Sequence, residues 1–294
     1  MALLELAGRP NLADFFPILK PLDPQGLVRR GNVYGKKLLA IIDRIIDQRL
    51  QSRMSSSSVS SITNNDVLDS LLDLIQKDES IFSRQEMSHL FYLLFIAGTE
   101  TTSSTLEWAM AELIHNPEKM KMTRSEIDKL MQNYNGNVQE THICQLPYLQ
   151  AIIKETLRLH PPVPFLLPRR SLHDVQVQGY IVPKNAQILC NVWAMGRDPN
   201  IWSDPETFMP ERFLEVNINY KGQDYEFIPF GVGRRICPGL NIADRMLHVM
   251  LGSLIYKFEW KLEGNIRPQD MDMEEKFGLT LPRKQPLMAI PIKL

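Results

Sequence analysis

Apolar residues in the first part of the chain recur every three to four positions. Ile41, Ile45 and Ile46, with charged residues between them, predict a helix over about 25–51 that packs on one side only. The stretch 51–65 is polar, includes four consecutive serines and contains few large apolar residues, so we expect a loop there. The pattern favours a helical protein in its first half.

Capping residues mark the limits of the next helices. Ser83 and Glu86 have the spacing of a capping box, and the apolar run behind them predicts a long helix to about His115. Asn116 followed by Pro117 predicts that Asn116 caps another helix, with the proline in its first position.

The second half mixes helices with short strands. A helix over about 146–160 must end at Pro161 and Pro162, because proline disfavours helix at the preceding residue and lacks an amide donor. Residues 175–182 alternate around a glycine and predict a hairpin, and 287–292 is another strand candidate. The sequence thus predicts a mainly α fold with small peripheral β-sheets.

Composition and charge exclude several classes of protein. The 294 residues are 44% apolar, enough for a substantial core, and 33 basic against 34 acidic residues favour neither nucleic acid nor an anionic bilayer as partner. Three scattered cysteines fit neither a disulfide framework nor a structural zinc site, and they indicate a reducing compartment. No apolar run approaches the roughly 20 residues of a membrane span. The first residues carry no secretory signal and read like a chain that begins inside a helix.

The strongest chemical signal surrounds Cys237, in the sequence Pro-Phe-Gly-Val-Gly-Arg-Arg-Ile-Cys-Pro-Gly that ends at Gly239. A lone cysteine is ordinarily a buried structural residue, and a glycine-rich loop is ordinarily a turn. Here Gly231 and Gly233 allow a tight loop whose amides can point at a thiolate, while Gly239 leaves space where the next helix would approach a flat macrocycle. This combination suits a porphyrin.

Two neighbouring side chains strengthen that interpretation. Arg235 is a fixed cation that can pair with a haem propionate, and Phe230 can shield the sulfur from water. A cysteine thiolate donates electron density to a haem iron and favours cleavage of the O–O bond, as an oxygen-activating enzyme requires. We therefore expect Cys237 to be the axial ligand of a haem iron.

With these residues in place, the chain resembles the cytochrome P450 family over essentially its whole length. The fixed positions of that family's haem-binding signature are matched by Phe230, Gly233, Arg235, Cys237 and Gly239. Residues 97–102 resemble the family's central-helix motif, 155–158 its E-x-x-R pair and 210–213 the segment that completes a triad. The resemblance implies the C-terminal portion of a single P450 domain over 1–294, with a long central helix and the cysteine loop around haem. It also implies that the N-terminal anchor and early helices are absent from this sequence.

The segment 97–102 has two interpretations. Thr101 in mid-helix could simply bond back to the carbonyl four residues earlier. Ala97 and Gly98 favour a second interpretation, since glycine inside a helix costs roughly 1 kcal/mol and leaves room for a bound molecule. By resemblance that molecule is dioxygen, which Thr101 holds, and Glu100 feeds a proton relay.

Glu155 and Arg158 lie three residues apart on one helix face. Such pairs are usually solvated surface contacts worth a few tenths of a kcal/mol. The resemblance implies instead that Arg212 joins them in a buried ion-pair network behind the cysteine loop, with a structural role.

A second propionate contact is expected by position. Arg169 resembles the family's second propionate-binding residue, with Arg170 as the alternative. Trp193 and Arg197 fit the letters W-x-x-x-R, which the family uses for a propionate contact much earlier in the chain, so their position excludes that role.

The resemblance further implies a pocket for a small lipophilic substrate. The expected pocket residues, which could equally be ordinary core, are Leu94, Phe95, Leu166, Leu167 and Thr280. The opening residues 7–26 look like the plant microsomal branch of the family, which includes geraniol hydroxylases and other terpenoid oxidases. A monoterpenoid alcohol is therefore the leading candidate substrate.

The implied activity is insertion of one oxygen atom from O2 into a C–H bond. The resemblance implies electrons from NADPH through NADPH–cytochrome P450 reductase, and a full-length parent anchored on the cytosolic face of the endoplasmic reticulum membrane. Two other classes stay open. The pair Glu100 and Thr101 argues against a haem-thiolate isomerase or dehydratase, whereas a non-catalytic haem-binding remnant would keep all of these motifs.

Overall fold

The computed structural model describes residues 2–55, 66–77, 82–134 and 136–294, and it confirms a mainly helical fold. The α-helices of these ranges are α1 (Ala2–Ala7), α2 (Leu12–Phe15), α3 (Leu27–Ser55), α4 (Val67–Lys77), α5 (Arg84–His115), α6 (Pro117–Met131), α7 (Pro147–Leu159), α8 (Val192–Met195), α9 (Arg212–Glu215) and α10 (Leu240–Lys257). Short 3-10 helices occupy Pro17–Leu22, Glu140–Gln145, Gly233–Arg235, Glu263–Asn265 and Pro268–Asp270.

The strands form small antiparallel pairs, as the sequence predicts. They are β1 (Arg169–Arg170) with β4 (Gln187–Ile188), β2 (Val175–Val177) with β3 (Tyr180–Val182), and β5 (Phe258–Leu262) with β6 (Ala289–Lys293). The β2–β3 hairpin turns through Gln178 and Gly179, both at positive φ. The β6 prediction is confirmed, whereas β5, which follows α10 directly, was not predicted.

Two predicted helix starts are confirmed, and one of them lacks the expected side-chain cap. Ser83 N–H donates to the carboxylate of Glu86 at 2.7 Å, and Glu86 N–H donates to Ser83 Oγ at 3.2 Å, so the capping box starts α5. Pro117 begins α6 as expected. The side chain of Asn116 does not cap that helix: its amide donates backwards to the carbonyl of Glu112 at 2.9 Å.

The loop expected from residue 51 is wrong for 51–55, because α3 continues to Ser55. Arg53 in this last part of the helix donates to Asp69 at 2.9 Å and to Asp73 at 2.8 Å, both on α4. Ion pairs with α4 thus replace the apolar contacts that the sequence lacks there. The rest of the expected loop, 56–65, lies outside the described residues.

Contacts within the chain divide it into two units, Met1–Thr99 and Glu100–Leu294, and the division falls inside α5. In the first unit, a small core joins α3 and α4 to the start of α5 through Ile46, Leu72 and Met87. In the second unit, a larger core gathers the end of α5 with α6, α7 and α10. Within the described ranges, every helix is too short or too polar to cross a bilayer.

The second unit also carries α7 as its most deeply buried helix. Its apolar residues pack on all sides because neighbouring helices cover it, and it ends at Leu159 before Pro161, as the sequence predicts. Glu155 and Arg158 lie on this buried helix, so their charges are withdrawn from solvent together with its apolar residues.

Candidate functional site

The loop before α10 is held in shape by backbone hydrogen bonds. Cys237 N–H donates to the carbonyl of Phe230 at 2.9 Å, which closes the loop at its base. Gly231 and Gly233 have φ of 72° and 64°, a region that favours glycine, so the predicted tight turn is present. Gly239 then forms the N-cap of α10, which fixes where the helix begins relative to the cysteine.

One amide of this loop has a partner within the turn. Gly231 N–H donates to the carbonyl of Ile228 at 2.9 Å, so it serves the turn and not the sulfur. The ring of Phe230 is half-buried and packs against the ring of Tyr220, with centroids 5.3 Å apart. Sequence reasoning missed Tyr220, since nothing in the local pattern ties it to a loop ten residues later.

The thiol of Cys237 lies at an exposed position next to the start of α10. A Cβ added at Gly239 would lie 3.8 Å from Cys237 Sγ. Glycine therefore keeps one side of the sulfur free of side-chain atoms. The other two cysteines, Cys144 and Cys190, are also free thiols but lie outside this loop.

Two exposed guanidinium-bearing residues accompany the thiol. Arg169 on β1 donates through Nη2 to the carbonyl oxygen of Arg235 at 3.3 Å. Leu166 reaches the same loop, since its Cδ1 would lie 3.8 Å from a Cβ placed at Gly231. The structure thus brings Arg169, Arg235 and Leu166 to the cysteine loop. Arg170 lies beside Arg169 on β1 and pairs with Gln187.

Glu155, Arg158 and Arg212 form a buried cluster in the structure. Arg158 donates two hydrogen bonds of 2.7 Å to the carboxylate of Glu155, and Arg212 Nε donates to Glu155 Oε1 at 3.1 Å. The side chains of Glu155 and Arg158 are 0% exposed and that of Arg212 is 7% exposed. Because charges this deeply buried need partners, both arginines depend on the carboxylate of Glu155.

The arginines of this cluster also bind backbone carbonyls. Arg158 donates to Pro205 at 2.7 Å and to Thr207 at 3.2 Å, and Arg212 donates to Ser203 at 2.8 Å. The segment before α9 is therefore anchored by side-chain donors, since it lacks regular hydrogen bonding of its own. Its packing continues to the cysteine loop through Phe213, Phe227, Tyr220 and Phe230, whose rings contact in that order.

The central-helix candidates lie on both sides of the division within α5. Glu100 and Thr101 are half-buried and belong to the second unit, while Ala97 and Gly98 are exposed and belong to the first. The carbonyl of Thr101 accepts a hydrogen bond of 3.0 Å from the hydroxyl of Thr105. Among the described residues, no atom would lie within 4 Å of a Cβ at Gly98, so the chain's own packing does not require glycine there.

The expected pocket residues differ in exposure. Leu167 is 61% exposed and Thr280 is buried, both in the second unit, where Leu166 has a positive φ of 51°. Leu94 and Phe95 are exposed on the part of α5 that belongs to the first unit.

A model of the cytochrome P450 family matches residues 2–289. The chain belongs to the cytochrome P450 family. It is 51% identical over 288 residues to geraniol 8-hydroxylase of Swertia mussotii, covering 98% of this chain and 57% of that protein. It is 48% identical to geraniol 8-hydroxylase of Catharanthus roseus, with the same coverage, and 52% identical over 290 residues to cytochrome P450 76AD1 of Beta vulgaris, covering 99% and 57%. The chain thus spans a little over half the length of these relatives.

Membership of the cytochrome P450 family confirms the fold class expected from the sequence. The structure also shows the contacts of Trp193 and Arg197, which fit the pattern W-x-x-x-R. Here the guanidinium of Arg197 stacks on the ring of Trp193 at 4.0 Å and pairs with Glu206 and Glu275, so both side chains are engaged inside the protein. These contacts agree with the exclusion of a propionate role.

The residues around Cys237 fit the haem group that cytochrome P450 proteins carry. A soft thiolate suits an iron ligand, Gly239 leaves the sulfur approachable, and two guanidinium groups suit two propionates. The ring of Phe230 and its neighbour Tyr220 supply apolar surface behind the loop.

Proposed function

We propose that the protein carrying this chain is a haem-thiolate monooxygenase with Cys237 as the axial ligand. The observation that carries the proposal is an exposed thiol on a loop locked by the Cys237 N–H to Phe230 hydrogen bond, with Gly239 beside the sulfur. When bound, haem b with a thiolate ligand supplies activation of O2 with electrons from NADPH through NADPH–cytochrome P450 reductase.

The arginines have the task of orienting the cofactor. Arg235 is the last residue of the 3-10 turn that begins at Gly233, so the loop fixes its backbone. The hydrogen bond from Arg169 to the carbonyl of Arg235 ties β1 to this turn. Each guanidinium can form a paired hydrogen bond with one carboxylate, which fixes orientation as well as charge.

Two residues of α5 have the task of delivering protons. Thr101 offers a hydroxyl that can hold a proton in place, and Glu100 offers a carboxyl that can exchange one with solvent because it is half-buried. Both belong to the unit that also carries Cys237. Their side chains are the proposed catalytic residues of this chain.

The substrate proposed is a small terpenoid, with a monoterpenoid alcohol as the leading candidate. Of the expected pocket residues in the second unit, Leu166 and Leu167 are apolar and Thr280 adds one hydroxyl, a combination that suits a mostly hydrocarbon molecule with one polar group. Two similar relatives carry the name geraniol 8-hydroxylase. Attachment of the full-length protein to the endoplasmic reticulum membrane, facing the cytosol, belongs to the same proposal.

The test is the absorption spectrum of the reduced, carbon-monoxide-bound protein. It is recorded on this chain with haem supplied, and on a fusion preceded by the N-terminal part of the Swertia mussotii relative, because the chain spans 57% of that protein. The variants are Cys237→Ser and, as a matched control, Cys144→Ser, which removes another exposed thiol.

A strongly red-shifted haem band that is lost in Cys237→Ser and kept in Cys144→Ser supports the proposal. A band that survives Cys237→Ser, or its absence from both the chain and the fusion, overturns it. A band in the fusion alone favours the remnant interpretation for the isolated chain. Incubation with reductase, NADPH and geraniol then tests the substrate, and failure to form a hydroxylated product rejects that substrate while leaving the ligand assignment intact.

A further inference from the structure

A buried histidine at the end of α7 lies between two carboxylates. His160 is the C-cap of the helix and is 6% exposed. Its Nε2 is 2.8 Å from Glu112 Oε1 on α5, and its Nδ1 is 3.2 Å from Glu275 Oε1 in the segment after α10. The imidazole ring is stacked on Trp108, with centroids 3.7 Å apart and planes 1° from parallel.

This geometry favours a hydrogen on each nitrogen of the imidazole. A neutral imidazole carries one N–H, so it could satisfy only one of the two carboxylates and would turn a lone pair towards the other. With a hydrogen on each nitrogen, the ring donates to both and balances part of their charge. Burial raises the pKa of Glu275, but the contacts with His160, Arg197 and Trp193 together outweigh burial, and the pKa is lowered.

Other charged groups face the cluster from the elements packed around it. Arg197 lies 3.5 Å from Glu275, and Trp193 Nε1 donates to the second oxygen of Glu275 at 2.9 Å. The guanidinium of Arg283 lies over the ring of Trp108 at 5.2 Å. On the other side, the amide of Asn116 lies 3.3 Å from Glu112 Oε2. Arg283 is also close enough to Glu107, Asp272 and Glu112 for their charges to act on its pKa. Two arginines and the imidazole thus lie among the carboxylates of the cluster.

The cluster also holds two chain segments in place. Trp108 Nε1 donates to the carbonyl of Leu281 at 2.9 Å, and Leu281 N–H donates to the carbonyl of Pro162 at 3.1 Å. Thr280 precedes Leu281 directly, and Leu166 follows Pro162 by four residues. Residues 279–281 are therefore tied to the ring stacked on His160, and the chain that leads into residues 165–167 is tied to them at Pro162. Substrate contacts are expected in both segments.

We propose that His160, as a cation between Glu112 and Glu275, is a positioning residue that sets the spacing of segments 165–167 and 279–281 for substrate. The inference rests on the proposed function, because it assigns these segments to the same pocket. His160 itself acts through its neighbours and not on the substrate. Loss of the charge on Glu275 loosens the stack of His160 on Trp108, and with it the hydrogen bonds that join Trp108, Leu281 and Pro162, while the cysteine loop keeps its own hydrogen bonds.

The test uses Glu275→Gln in the haem-loaded protein. The neighbouring Glu274→Gln is the matched control, because it makes the same chemical change in an exposed pair with Lys284. Geraniol is titrated while the haem absorption is followed. We expect Glu275→Gln to weaken geraniol binding about tenfold, and Glu274→Gln to leave it unchanged, since about tenfold corresponds to loss of one charge-assisted contact. The carbon-monoxide band keeps its position in both variants.

A second measurement reports on the charge of His160 directly. Protein labelled with 15N-histidine gives imidazole nitrogen resonances that separate the cation from the neutral ring, and His160→Gln identifies the resonance of His160. We expect the cationic signature in the unmodified protein and in Glu274→Gln, and its loss in Glu275→Gln.

Two outcomes overturn the inference in proteins that keep the carbon-monoxide band. One is a neutral 15N signature of His160 in the unmodified protein, and the other is equal geraniol affinity in Glu275→Gln and Glu274→Gln. Absence of the carbon-monoxide band from every protein overturns the proposed function instead, and the 15N signature then still decides the charge of His160.

Discussion

Replacing Glu155 by glutamine tests how much the buried ion cluster contributes to folding. The change keeps the shape of the side chain but removes its charge and turns one acceptor oxygen into a donor amide. That amide must face an N–H of Arg158 or Arg212, since Glu155 accepts from both. Two guanidinium groups would then remain buried without their carboxylate.

The expected loss in free energy of unfolding is about 3–5 kcal/mol, the cost of removing one partner from a buried ion pair. This large value applies because the side chains of Glu155 and Arg158 are 0% exposed. The pair Arg267–Asp270 has the same spacing of three residues, but its side chains are 69% and 47% exposed. Asp270→Asn should therefore cost less than about 1 kcal/mol.

Urea unfolding followed by tryptophan fluorescence measures both variants. All four tryptophans lie in the second unit, and Trp202 lies 5.5 Å from the guanidinium of Arg158, so the signal reports on the unit that contains the cluster. If Glu155→Gln shifts the unfolding midpoint no more than Asp270→Asn does, the buried ion cluster contributes no more to stability than an exposed ion pair, which contradicts the prediction.

Three further outcomes are expected. Thr101→Ala should uncouple NADPH consumption from product, measured as product per NADPH, and unchanged coupling would remove Thr101 from the mechanism. Gly196→Ala should lower the free energy of unfolding by about 1–3 kcal/mol, because the added Cβ collides with a backbone carbonyl of α7. Gly31→Ala, in open space on α3, should raise it by about 0.5–1 kcal/mol, and the midpoints of urea unfolding measure both changes. Hydrogen bonds from Arg49 lower the pKa of Asp66, so this stabilisation is present above about pH 4 and is lost as pH falls through the folded pKa. Asp66→Asn should thus flatten the fall in melting temperature between about pH 7 and about pH 3, and an equal fall in both proteins contradicts the assignment.

Features that depend on neighbours in sequence could be predicted. The capping box at Ser83, the prolines after α7 and the glycine of the β2–β3 hairpin act over a few residues, and each has the expected result. The helical end of α3 could not be predicted, because Arg53 is held there by carboxylates 16 and 20 residues later.

In the candidate site, too, contacts between residues far apart in the sequence could not be predicted. The spacing of Glu155 and Arg158 indicated an ion pair, but the residues alone favoured a solvated one, since burial depends on which helices cover α7. The network around His160 was not predicted at all. Its members come from positions as far apart as Glu112 and Glu275, and no local pattern relates them. The glycines beside Cys237 could be interpreted because they act on the sulfur within the same loop.

The arginines of the buried cluster hold the segment before α9 by its carbonyl oxygens, at Pro205, Thr207 and Ser203. Carbonyl oxygens are the same in every residue, so this attachment does not depend on the side chains of the segment. Substitutions in the segment therefore leave this attachment intact, and the positions that stay restricted are those packed in the core or against α7, such as Trp202, Phe208 and Gly196. Its length is constrained instead, because inserting or deleting one residue would move every carbonyl out of reach of its arginine.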